Sequence, residues 1–99
     1  MAVLYISEFS SLPQISGGQP QCAPYPPVAR QTVAIGVSSV SSSAFNAQTK
    51  FIRVHTDAIC SVDIGAGPVA TATTDRLGAG QTEYFGVTGG HKIAVITNT

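Results

Sequence analysis

From Thr49 to Thr97 the chain runs in short stretches of alternating apolar and polar side chains broken at turns. A period of two puts alternate side chains on opposite faces of an extended chain, so the pattern demands half-buried strands and leaves no room for an amphipathic helix. The strongest stretch is Lys50 to Thr56, with Ile52 and Val54 on one face and Phe51, Arg53 and His55 on the other, both faces partly covered. Asp57-Ala58 marks a tight reversal into Ile59 to Ile64, where Cys60, Val62 and Ile64 oppose Ser61 and Asp63, and the two runs read as a hairpin. Gly65-Ala66-Gly67-Pro68 ends it. Val69 to Thr73 is expected as a short edge strand, closed by the polar turn Thr74-Asp75-Arg76. After the bend Leu77-Gly78-Ala79-Gly80, Gln81 to Val87 alternates again. Thr88-Gly89-Gly90 supplies positive φ angles for the reversal into Lys92 to Thr97. There Ile93 and Val95 on one side and Ala94 and Ile96 on the other predict a central strand.

Upstream, Val33, Ile35 and Val37 alternate within Thr32 to Val40, and Ser38 to Ser43 break the run. Ala44 to Ala47 fits a short strand or a bend. Six or so strands spaced by roughly 8–12 residues predict an antiparallel β-sandwich with jelly-roll-like or immunoglobulin-like connections, all-β throughout.

The composition changes at about Arg30. Five of the six prolines, Pro13, Pro20, Pro24, Pro26 and Pro27, fall within residues 13–27 beside Gly17 and Gly18, which forbids helix and favours extended backbone. The expected organisation is therefore an extended N-terminal arm over residues 1–30 and a sandwich domain over residues 31–99. The arm carries Leu4, Tyr5, Ile6, Phe9, Leu12, Ile15 and Tyr25, more apolar surface than a solvated tail holds, so something must cover it. Either it folds back over its own domain or it lies across a neighbouring subunit. These seven residues are the candidate interface.

Five basic and five acidic residues cancel, and charged residues make up 10% of the 99. That balance lacks the electrostatic footprint of a nucleic-acid protein, and a neutral, apolar-rich surface favours assembly over a free monomer, so a homo-oligomer is expected. Leu4 to Ile6 lack the basic flank of a secretion signal, and no apolar run reaches the length of a membrane span, so neither cleavage nor a membrane partner is expected. Cys22 and Cys60 are read as free thiols.

Catalysis is not expected. His55 with Asp57 and Cys60 is the one tempting cluster, but the alternation of its strand and the want of further donors favour an ordinary surface histidine, and His91 stands apart. Asp57, Asp63 and Asp75 lack calcium-loop spacing. Gly65-Ala66-Gly67 and Gly78-Ala79-Gly80 open no helix and make no dinucleotide fingerprint. Ser10, Ser11 and Ser38 to Ser43 lack a strand-to-helix nucleophile elbow. No metal or cofactor is expected.

The succession Phe51-Ile52-Arg53-Val54-His55-Thr56-Asp57-Ala58, Ile64-Gly65-Ala66-Gly67-Pro68-Val69-Ala70-Thr71-Ala72, Leu77-Gly78-Ala79-Gly80, Glu83-Tyr84-Phe85-Gly86-Val87 and Lys92-Ile93-Ala94-Val95-Ile96 resembles small virion structural proteins of tailed bacteriophages. The resemblance covers about half the chain, leaves the arm unmatched, and rests on turn and strand patterns. It implies a capsid decoration or cement protein, or else a head–tail or tail component, made in the host cytoplasm and placed on the capsid exterior. The implied partner is the major capsid protein or another virion protein. Neutral Thr- and Ser-rich strands and an apolar arm fit such a role, the arm adding its backbone to a neighbour's sheet edge while Tyr5, Phe9 and Ile15 fill pockets. A receptor- or carbohydrate-binding module, with aromatics in its loops, and a small cell-wall hydrolase are the alternatives from other classes.

Overall fold

The computed structural model describes residues 2–10 and 27–99. Among them there is no helix, and eight strands form two four-stranded antiparallel sheets packed face to face as a β-sandwich. The strands are β1 (Val3–Phe9), β2 (Ala29–Ala34), β3 (Val40–Ser41), β4 (Phe51–Thr56), β5 (Cys60–Gly65), β6 (Asp75–Leu77), β7 (Thr82–Gly86) and β8 (Lys92–Thr97). The first sheet has the order β2-β1-β4-β7 and the second β3-β8-β5-β6. Leu4, Ile6, Val33, Ile52 and Val54 of the first sheet meet Cys60, Val62, Leu77, Ile93 and Val95 of the second in one continuous core, joined by Phe45 from the β3–β4 connection.

The largest correction concerns the arm. Residues 3–9 are an interior strand of the first sheet, paired with β2 on one side and β4 on the other. Leu4 and Ile6 are sealed in the core and Phe9 is buried, so these three are spent on the chain's own fold and offer nothing to a neighbour. The alternation of Leu4, Ile6 and Glu8 against Tyr5, Ser7 and Phe9 explains why: one face is apolar except for a single carboxylate, and that carboxylate is satisfied. Because Glu8 pairs with Ala29 and the Val28 N–H donates to the Glu8 carbonyl at 2.7 Å, β1 and β2 are the legs of a hairpin. Residues 10–28 connect them, so the proline-rich stretch is tied to the body at both ends and is no terminal arm. Leu12, Ile15 and Tyr25 lie outside the described residues.

Glu8 is 2% exposed. Its Oε1 accepts from the Asn46 N–H and the Thr49 hydroxyl, each at 2.8 Å, and its Oε2 accepts from Gln31 Nε2 at 3.2 Å. The same Gln31 amide exchanges two bonds with the Ser43 backbone, so one carboxylate fastens β1, β2 and the connection that carries Phe45. No buried side-chain polar atom among the described residues lacks a partner.

Other expectations are corrected by the pairing. The predicted β4–β5 hairpin does not form: β4 pairs with β1 and β7, and β5 with β6 and β8. The reversal at Asp57-Ala58 is an arch between sheets, held by the Thr56 hydroxyl bonding both the carbonyl and the N–H of Ala58, which sets Ile52 and Val54 facing Cys60 and Val62 across the core. β2 starts earlier and ends sooner than Thr32 to Val40, because the chain crosses to the second sheet at Gly36, whose carbonyl accepts from Thr97. Val37, read as inward, is 88% exposed on that crossing. A two-residue strand, β3, lies inside the serine run.

The edge strand expected at Val69 to Thr73 is replaced by a turn in which the Thr74 hydroxyl donates to the Thr71 carbonyl and the Thr73 N–H to the Thr71 hydroxyl. Threonine hydroxyls compete here with ladder bonds, and the edge falls instead on Asp75–Leu77. β8 matches its expected span and is central, between β3 and β5. Of the paired glycines before it, only Gly90 has positive φ, +86°. Gly89 is required for another reason: a Cβ there would lie 2.5 Å from the Ala47 carbonyl oxygen.

Two stability predictions follow from these contacts. Glu8→Ala strands three donors and is expected to cost about 3 kcal/mol in urea denaturation, Glu8→Gln only about 1 kcal/mol. Equal small losses would contradict the role given to the carboxylate. Gly89→Ala is expected to cost about 1–3 kcal/mol through the clash with the Ala47 backbone, and wild-type stability would contradict that close approach.

Candidate functional site

The inward faces of the sheets are committed to the core, so the outward face of the first sheet is where side chains remain available. The register places them in rows across the strands. Thr32, Tyr5, His55 and Thr82 form one row, and Arg30, Ser7, Arg53 and Tyr84 the next. Phe9, Phe51 and Gly86 form a third. At a strand spacing of about 4.8 Å, a four-residue row spans about 15 Å.

The rows are knit by rings. Phe9 stacks on Phe51 at 5.0 Å between centroids and 19° between planes, Phe51 tilts toward Tyr84 at 6.4 Å, and Tyr5 tilts toward His55 at 6.4 Å. His55 Nδ1 shares a 2.8 Å hydrogen bond with the Thr82 hydroxyl, fixing its ring. Tyr5 and Tyr84 are 46% and 55% exposed, large amphipathic rings held on a rigid sheet.

Ser7 is short and stands between two arginines. The consequence is an open depression of about 550 Å³ over Ser7, walled by Tyr5, Arg30, Thr32, Arg53 and His55. Its charge is one-sided. The outward positions of the four strands hold Arg30, Arg53 and His55 and no Asp or Glu. The nearest carboxylates are used elsewhere: Glu8 inside, Asp57 accepting from the Val3 N–H at 2.7 Å, and Glu83 accepting from Gln81 Nε2 at 2.8 Å.

The cluster His55, Asp57 and Cys60 is not assembled. His55 faces outward, Asp57 caps the end of β1, and Cys60 is sealed in the core with its thiol directed at the Thr56 hydroxyl, 3.6 Å away. His91 sits in the β7–β8 turn, its carbonyl accepting from Phe45. Among the described residues no three His, Cys, Asp or Glu side chains are grouped to hold a metal ion. Of the seven interface candidates, Tyr5 alone is described and open to solvent. Arg30, Arg53, His55 and Tyr84 were missed as a surface. The alternation of β4 places Arg53 and His55 together, but their neighbours become visible only once residues 3–9 are recognised as the strand beside them.

Comparison with protein-family models, with characterised proteins and with solved structures returns no match to this chain.

Cys60 is a free thiol, and burial pushes its pKa up, with the nearby Asp57 charge adding to the rise and the Thr56 hydrogen bond opposing it. Less thiolate at a given pH and no access predict that alkylation of native Cys60 at pH 8 runs at least ~100-fold slower than in denaturant. Peptide mapping by mass spectrometry checks this, and labelling at the denatured rate would contradict the buried placement.

Proposed function

We propose that this chain is a structural protein of a tailed-phage particle, a decoration or cement protein that docks on major capsid protein subunits through the outward face of the first sheet. The observation that carries the reading is the composition of that face: two half-exposed tyrosines and an arginine pair on one rigid surface. Tyr and Arg are enriched where protein interfaces concentrate their binding energy, because each brings large contact area at modest entropic cost. A sheet hydrogen-bonded strand by strand presents them preorganised, so little ordering is lost on docking. The neutral charge balance and the resemblance of the strand and turn pattern to small virion proteins support the same reading. By linkage, a protein that binds the assembled shell and not its dissociated subunits stabilises the shell. A head–tail or tail position would use the same face on a different virion protein.

Tyr5 and Tyr84 also suit stacking on sugar rings, which favours a carbohydrate-binding module as the second reading. A glycan array discriminates, since that reading requires a saccharide hit lost in Tyr84→Ala.

The primary test is co-sedimentation of the purified protein with phage shells that lack it. Wild type is expected to saturate the shells, and Tyr5→Ala with Tyr84→Ala to weaken binding at least 30-fold, as for one interfacial hot spot of about 2 kcal/mol. Circular dichroism should show the variant folded. No binding by wild type, or wild-type occupancy by the variant, would overturn the proposal.

A further inference from the structure

We infer that the depression over Ser7 is a carboxylate-recognition site, which takes an Asp or Glu side chain from the protein surface that the sheet docks on. The inference rests on the docking reading and names the chemistry of the partner at its centre.

Three observations meet there. The half-buried Arg53 lines the depression, and among the described residues its guanidinium has no hydrogen-bond or ion-pair partner. Arg30 stands two strands away in the same row, separated from Arg53 only by Ser7. The outward strand positions hold no Asp or Glu, so the Arg53 charge is left to be met by an anionic occupant. A guanidinium presents a planar fork of donors that matches a carboxylate in two parallel bonds, a match that a lysine ammonium does not make. The hydroxyls of Ser7, Tyr5 and Thr32 line or border the same space as additional donors.

Size and charge distinguish this from a nucleic-acid groove. A depression of about 550 Å³ suits a side chain with its flanking backbone. A polyanion track needs many cations in succession, since affinity grows with each phosphate neutralised. Here two arginines stand in one row and the chain's formal charge is zero. Docking would also exclude water from Arg53 and so strengthen its pairing with a carboxylate.

The experiment uses the whole chain, two peptides, an oligothymidine and phage shells. In an NMR titration at low salt, a short Glu-rich peptide is expected to shift the amides of Ser7, Thr32 and Arg53, and its Gln-for-Glu counterpart is not. Arg53→Gln is expected to weaken Glu-peptide binding at least tenfold, and Arg53→Lys to restore only part of it. The difference should shrink as salt rises. Equal binding of the Gln peptide, unchanged binding in Arg53→Gln, or tighter binding of an oligothymidine than of the Glu peptide would each overturn the inference. With shells, loss of binding in the tyrosine variant but not in Arg53→Gln would remove the carboxylate site and leave the docking face standing. Glu-peptide capture without any shell binding would keep the site and remove the docking reading.

Discussion

The first sheet depends on one strand, β1, whose backbone is bonded on both sides and whose inward face delivers Leu4 and Ile6 to the core. Without it, β2 would have no ladder to join and Ile52 and Val54 would lose their lateral neighbours on one side. The strand is admitted to the interior despite a carboxylate because Glu8 is met by three donors, one from β2 and two from the β3–β4 connection. A buried polar group left without partners would cost more than a typical hydrogen bond contributes, so this network is a condition of the strand's position as well as a gain in stability. It also sets where the β3–β4 connection runs, and through it where Phe45 enters the core.

The same strand has a second face, and the period of two ties the faces together. Residues that alternate with Leu4, Ile6 and Glu8 are Tyr5, Ser7 and Phe9, so the register that seals the core also sets the exposed Tyr5 ring and the gap at Ser7 on the outward face. A slip of one residue would exchange the two sets and destroy both. Arg53 and Arg30 flank the gap only because β4 and β2 are held in register against Ser7. The docking face proposed for this protein is therefore a by-product of the core's register, which gives it rigidity without ordering any loop.

Local alternation was legible where a strand is covered on a predictable face. Lys92 to Thr97 reads as a central strand and is one, and the two faces of Phe51 to Thr56 fall as the pattern requires. What the residues do not encode locally is the partner. Asp57-Ala58 signals a reversal, yet a hairpin and an arch share that signal, and only the opposing core decides between them. Val37 continues an apolar alternation past the point where the chain leaves its sheet, so its exposure depends on the crossing at Gly36. Residues 3–9 alternate well enough to be a strand, but the prolines and glycines that follow them favour reading the whole segment as an arm, and Glu8 interrupts the apolar face. The donors that make Glu8 acceptable stand at Gln31, Asn46 and Thr49, far away in sequence. Since Arg53, Arg30 and Tyr5 become neighbours through that same strand, the missed element hid the candidate site with it.

The central claim is that residues 3–9 belong to the folded body and rise and fall with it. Native-state amide hydrogen exchange measures this directly, residue by residue, because a strand in the global unit exchanges only on global unfolding whereas an appended segment exchanges by local opening. The hydrogen-bonded amides of β1 are expected to share the protection of those in β4 and β8, with opening free energies that converge as urea is added. Rapid exchange throughout residues 3–9, with Ile52 and Val95 still fully protected, would contradict the account.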